Sequence, residues 1–154
     1  MGIAPKIAGL EKFPGGIGNR MEMADIRTNF SPVIGSGKNG DGYPLDPTVR
    51  LRTSQQVGQL ALKGIDLGDR HSGNIVTNNM TGRPMQLDFG LAQRVEGEDQ
   101  VMALANATTE GFEAAGMDDI AEIYRDTVYD LLAGGDITDA MDVAKQGFSR
   151  LQKL

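Results

Sequence analysis

Cysteine and tryptophan are both absent from the 154 residues, and aromatic rings are confined to 3 Tyr and 5 Phe. Without cysteine there are no disulfides, no thiolate metal sites and no cysteine nucleophile, a composition that suits a reducing compartment. With so few rings the core has to be built from Leu, Ile, Val, Ala and the 8 Met. Met fills irregular gaps but specifies packing loosely. No run of about 18 apolar residues occurs, so no transmembrane helix and no membrane insertion are expected. The opening Met1-Gly2-Ile3-Ala4-Pro5-Lys6 carries no signal-peptide core, and Lys6 stands where a myristoylated Gly2 wants Ser or Thr. The expected location is cytoplasmic or within a soluble assembly.

What is present is ordinary for one globular domain. Hydrophobic residues make up 40% and charged residues 23%, enough to bury a core. The net charge of −6 is unevenly placed: residues 96–142 hold 13 acids and a single base, Arg125. Such a surface repels phosphate backbones, so no nucleic-acid partner is expected there. The plain reading of the acids is a solvated face.

Residues 1–46 are rich in Gly and Pro and read as short extended pieces and loops, with Arg20-Met21-Glu22-Met23-Ala24-Asp25 as one strand entering a turn. Residues 35–42 read as a flexible surface turn. Asp46-Pro47 starts a helix that reaches residue 63, with Val49, Thr53, Val57, Leu60 and Ala61 on one face and Gly64 as its stop. Ile75-Val76-Thr77 and Met85-Gln86-Leu87 read as a hairpin joined by Asn78–Gly82, with Pro84 at an edge or strand start. Three helices follow. The first carries Val101, Leu104, Ala105 and Phe112. The second carries Ile120, Ile123, Tyr124, Thr127, Val128 and Leu131, closed by Gly134-Gly135. The last carries Ile137, Met141, Ala144, Phe148 and Leu151, with early acids and late bases that suit the helix dipole. The fold class is therefore α+β, mainly α, divided into a segment 1–46 and a domain 47–154.

Between helix and hairpin lies the chemistry-bearing loop Gly68-Asp69-Arg70-His71-Ser72-Gly73-Asn74. Asp88-Phe89-Gly90 follows the hairpin. An Asp on a fixed loop can accept the proton of an acceptor hydroxyl, and an Asn five residues later can reach a metal from the same loop. A second Asp, returned by a short hairpin, can bridge metal and phosphates. Asp69 and Asn74 keep the Asp-to-Asn step of the protein-kinase catalytic loop, and Asp88 opens a D-F-G triplet.

Gly68–Ile75 resembles the G-D-R-H-x-x-N-I loop of the phosphatidylinositol kinase family, and Gln86-Leu87-Asp88-Phe89-Gly90 its paired metal motif. The D-R-H order is also similar to that of some bacterial toxin–antitoxin serine kinases. The resemblance implies a kinase-like C-terminal lobe with a catalytic-loop β-hairpin. It implies proton handling by Asp69 or His71, bracing by Arg70, and Mg²⁺ held by Asn74 and Asp88. Met21, Met23 and Asp25 would then present the hinge backbone to the adenine of ATP. Only about 25 residues carry the specific likeness.

Several kinase elements have no counterpart. Twenty residues before the hinge cannot build an N-lobe, no strand Lys of the V-A-I-K kind is visible, and no A-P-E-like element follows Gly90. The N-lobe is accordingly read as missing or vestigial. Two functions follow. The chain is a truncated kinase-like domain, a phosphotransferase only with an N-lobe from another chain or precursor. Alternatively it is a non-catalytic pseudokinase scaffold in a larger assembly, such as a virion. Either implies a protein partner or a second copy over the vacated surface. Three other motifs fail. Pro32 and Asn39 spoil a P-loop around Gly35-Ser36-Gly37-Lys38, Met21 replaces the last Gly of a dinucleotide fingerprint, and Gly37 and Thr48 spoil a calcium loop.

Overall fold

A computed structural model describes residues 7–13, 16–21, 29–37, 42–68 and 71–154, the first two stretches as backbone alone. The protein is α+β and mainly helical, with four α-helices and three small sheets among the described residues.

Helix α1 (Pro47–Leu62) begins where the cap chemistry dictates. Asp46 accepts a hydrogen bond from the Thr48 amide at 2.9 Å, and Pro47 occupies the first helical position, where its missing N–H is no loss. The helix stops because Gly64 adopts φ +79°, a left-handed turn that strains residues bearing a Cβ. Its last carbonyls also accept from Gln100 Nε2, at 3.0 Å (Ala61) and 3.2 Å (Leu62).

Helices α2 (Gly97–Ala114), α3 (Asp118–Ala133) and α4 (Ile137–Gln152) pack with α1 around one apolar cluster. Val101, Leu104, Ala105 and Phe112 enter it from α2. Ala121, Tyr124 and Val128 come from α3, and Ala140, Ala144, Phe148 and Leu151 from α4. Phe112 and Tyr124 meet edge to face, with centroids 5.9 Å apart at 77°. Tyr124 donates its hydroxyl to the Ala144 carbonyl at 3.0 Å, and burial pushes its pKa up to about 12. Thr108 and Thr109 are buried in α2 because each bonds the carbonyl four residues back, at 2.8 Å.

Two glycines inside helices set how closely the bundle closes. A Cβ on Gly58 of α1 would fall 2.1 Å from the Phe148 ring, and one on Gly147 of α4 would fall 2.1 Å from the Tyr124 ring. Each ring occupies the space left by a missing side chain. This shortens the separation of α1 from α4 and of α3 from α4.

Several expectations are corrected. No methionine among the described residues is fully buried, so the core rests on Leu, Val, Ala, Ile and three aromatic rings. In α3 the inward face is Ala121, Tyr124 and Val128. Ile123 is 69% exposed and Thr127 is exposed, because each lies one step off that stripe. In α4 Ile137 is exposed at the first turn. The inward face of α1 is wider than its apolar stripe and takes in Ser54, Gln55 and Gly58. Gln55 can be buried because its Nε2 donates to the Leu151 carbonyl at 2.9 Å and its Oε1 accepts from Arg52 at 2.8 Å.

The strands are short. β1 (Ile7–Phe13) and β2 (Gly16–Met21) form an antiparallel pair. Of the strand expected across Arg20–Asp25, Arg20 and Met21 lie in β2, and residues 22–28 lie outside the described residues. β3 (Phe30–Pro32), β5 (Ile75–Asn78) and β6 (Pro84–Gln86) form a second antiparallel sheet in the order β3-β5-β6. Pro84 opens β6 at the sheet edge, where a missing donor is tolerated. β4 (Ile65–Asp66) pairs with β7 (Gln93–Arg94). The turn read over residues 35–42 lies partly outside the described residues, at 38–41, and its two ends are bonded to each other. Ser36 N bonds Tyr43 O at 2.8 Å, and Leu45 N bonds Ile34 O at 3.0 Å. No described helix is long and apolar enough to cross a membrane.

Candidate functional site

The stretch from residue 64 to residue 95 is a closed unit. At its base β4 meets β7, and Val95 N bonds Gly64 O at 2.9 Å, so the chain entering the loop lies beside the chain leaving the D-F-G segment. Gly68, at φ +71°, makes the turn into the loop. The Asp66 side chain holds that turn by accepting from the Gly68 amide at 2.9 Å.

The β5–β6 hairpin follows from its sequence. Ile75 and Val76 are buried β-branched residues, and Asn78 closes the turn by accepting from the Met80 and Thr81 amides at 2.8 and 3.1 Å. Its register pairs Ile75 with Gln86. The ladder then runs one step further: Leu87 N donates to Asn74 O at 2.8 Å. That bond brings Asn74 and Asp88, fourteen residues apart in sequence, to the same open end of the hairpin. The hairpin is pinned to α1 by an amide pair. Gln86 Nε2 donates to Gln56 Oε1 at 3.1 Å, and Gln56 Nε2 donates to the Pro84 carbonyl at 2.9 Å. Gln86 is wholly buried, and its own Oε1 has no partner among the described residues.

His71 caps the short 3-10 turn Ser72–Asn74 by accepting from the Gly73 amide at Nδ1, 3.2 Å away. Its Nε2 lies 3.1 Å from Asn74 Nδ2. An imidazole that accepts at Nδ1 carries its proton on Nε2. Both contacts are therefore satisfied together when Asn74 turns its oxygen to that N–H. Such an oxygen keeps a second lone pair. Asp88 is exposed and accepts from the Gly90 amide at 2.8 Å, a turn that fixes the carboxylate at the mouth of the unit. Ser72 N bonds Gly42 O at 2.7 Å, tying the 42–45 loop to the same mouth.

Of the residues singled out in the sequence, His71, Asn74 and Asp88 are brought to this mouth. Asp69 and Arg70 lie outside the described residues, as do Met23 and Asp25. Met21 is the last residue of β2, opposite Ile7. Among the described residues no cluster of three or more His, Asp or Glu side chains gathers a metal. Asn74 and Asp88 instead offer two hard oxygen donors, one of them anionic. That set suits Mg²⁺ completed by water and phosphate oxygens, and does not suit a soft metal.

A second concavity was not legible in the sequence. It is a cleft of about 570 Å³ between α1 and α2, bordered by the 43–44 loop and by the β4–β7 pair. Thr53, which the apolar stripe of α1 assigned to the core, lines it.

No protein-family model matches this chain, no curated protein is similar to it, and no solved structure matches it.

Proposed function

We propose that residues 64–95 are the catalytic-loop and metal-binding unit of a kinase-like C-terminal lobe, acting in phosphoryl transfer together with an N-lobe supplied by another chain or a longer precursor. The observation that carries this reading is the Leu87 N to Asn74 O bond at 2.8 Å, which joins the two motif segments at one end of one hairpin. Spacing alone makes Asp-x₄-Asn and D-F-G weak signals, whereas their convergence is what metal-assisted transfer requires.

In this reading Asn74 Oδ1 and the Asp88 carboxylate hold Mg²⁺. When bound, the ion neutralises charge on the transferring phosphoryl group. His71 keeps the Asn74 oxygen in place, Asp69 accepts the acceptor proton, and Arg70 braces the loop. Met21, Met23 and Asp25 would supply hinge backbone to ATP.

The test is nuclear magnetic resonance of the whole chain titrated with ATP and Mn²⁺, beside calorimetry with ATP and Mg²⁺. The expected result is saturable binding, with broadening centred on the amides of Asn74, Leu87 and Asp88, and loss of both in Asp88→Ala. Broadening centred elsewhere, or none at millimolar nucleotide, would discard the metal site.

A non-catalytic scaffold is the second reading, favoured by one observation. Ile34, Tyr43, Leu45 and Leu91 are exposed apolar side chains on the two stretches that border the loop. Such a surface suits burial by another subunit. Sedimentation of the chain against Ile34→Asp/Leu45→Asp tests it, with a drop in assembly expected.

A further inference from the structure

Stability alone does not account for Gln86. It is wholly buried on β6, and its Oε1 has no hydrogen-bond partner among the described residues. A buried acceptor left unpaired costs stability, and a Met or Leu of similar volume would fill the same space without that cost. The orphan oxygen follows from its neighbours. The Pro84 carbonyl only accepts, so Gln56 presents Nε2 to it, at 2.9 Å. Gln56 Oε1 is thereby turned to Gln86, which presents Nε2 at 3.1 Å and has its own oxygen turned away.

This relay is not needed to anchor the hairpin, because Ile75 and Val76 are already buried, at 1% and 5% exposure. Apolar burial is non-directional, however, whereas the two amide bonds fix where β6 lies along α1. Helix α1 is itself held at that turn. Gln55 donates to the Leu151 carbonyl at 2.9 Å, and Gly58 packs on the Phe148 ring. The strand gripped in this way is the one that leads into the site. Leu87 follows Gln86 and bonds Asn74 O, and Asp88 follows Leu87.

We propose that Gln56 is a positioning residue for the metal site: through Gln86 it sets Asp88 against Asn74 as a small divalent cation requires. The inference rests on the reading of Asn74 and Asp88 as Mg²⁺ donors. Gln56 itself meets neither metal nor substrate. Mg²⁺ demands near-ideal octahedral geometry, whereas Ca²⁺ accepts looser sites. Donors held by directional bonds therefore favour Mg²⁺, and loosening them penalises Mg²⁺ more than Ca²⁺. The buried oxygen of Gln86 is the stability given up for that placement.

Nuclear magnetic resonance of the whole chain tests it, with Mg²⁺ alone and Ca²⁺ alone followed at the amides of Asn74, Leu87 and Asp88. Gln56→Met keeps the volume and removes both bonds. It should weaken Mg²⁺ about tenfold or more and Ca²⁺ about threefold or less, and it should raise hydrogen exchange at the Leu87 amide selectively. Gln86→Met should do the same while its thermal midpoint stays or rises, since it removes the unpaired oxygen. Gln59→Met, exposed on the same helix, should change neither affinity nor exchange. The proposal is overturned if Gln56→Met leaves Mg²⁺ affinity intact or weakens both ions equally. It is also overturned if the Gln86→Met midpoint falls in step with affinity, which would make the pair structural. A wild-type chain that binds neither ion discards the metal reading instead, and the Leu87 amide then decides the placement of β6: unchanged exchange in Gln56→Met overturns it, and a selective rise upholds it.

Discussion

The helical bundle and the loop–hairpin unit are built on opposite principles. In the bundle the side chains do the work: Phe148, Leu151, Val101 and Leu104 are buried, and glycine removes the obstacles between helices. In the unit from residue 64 to residue 95, beyond the buried Leu67, Ile75 and Val76, hydrogen bonds from the backbone do the work. Bonds from Gly68 to Asp66, from Leu87 to Asn74 and from Gly90 to Asp88 fix the geometry, while the side chains of His71 and Asp88 face water. One region converts apolar area into stability. The other anchors itself on the buried Leu67, Ile75 and Val76 and holds polar groups at an open mouth. The Gln56–Gln86 amide pair and the Gln56 bond to the Pro84 carbonyl join the two.

Changes in the bundle should therefore cost stability, and changes in the unit should cost function. Phe148→Ala has the largest expected effect, about 3–5 kcal/mol by denaturant unfolding, since it empties the space bounded by Gly58 and the α2 core. Alkaline pH comes next. The Tyr124 pKa in the fold, about 12 against an ordinary 10, means the fold favours the neutral phenol. Its contribution is complete below pH 10 and disappears as pH rises toward 12. Two pH units correspond to about 3 kcal/mol, and Tyr124→Phe should flatten that part of the stability–pH curve. Gly58→Ala should cost about 1–3 kcal/mol by overpacking against the Phe148 ring, and Phe148→Leu in the same chain should recover part of it. Gln56→Ala should cost about 1 kcal/mol globally yet raise hydrogen exchange selectively in β5 and β6, because it releases the hairpin from α1. Asp88→Ala should change stability by less than about 0.5 kcal/mol, since the side chain is exposed, while abolishing metal-dependent binding. A large stability loss in that last variant would break the contrast between the regions.

Local chemistry carried much of the fold into view. Asp46-Pro47 and Gly64 bracket α1 because capping and left-handed turns act within a few residues. The hairpin around Asn78–Gly82 was legible for the same reason, as were the three later helices. The His71, Asn74 and Asp88 constellation was visible because motif and spacing sit on consecutive elements. Gly58 and Gly147 carried no such signal. Each is a gap for a ring, and Phe148 lies ninety residues beyond Gly58, so only the packing of α1 on α4 gives that glycine its meaning.

The cleft shows the same division. The acids of residues 96–142 read as a solvated face, and each is exposed in the fold. What the sequence by itself determined was which residues favour helix, strand and turn, and the polar loop between them, because those preferences are local. Only the tertiary structure decided that Asp99, Glu110 and Glu113 share a cleft with Asp66, and that Thr53 lines its wall. Helix α2 approaches α1 and the β4–β7 pair through contacts distant in sequence, and no periodicity along one segment encodes which face of another it will meet.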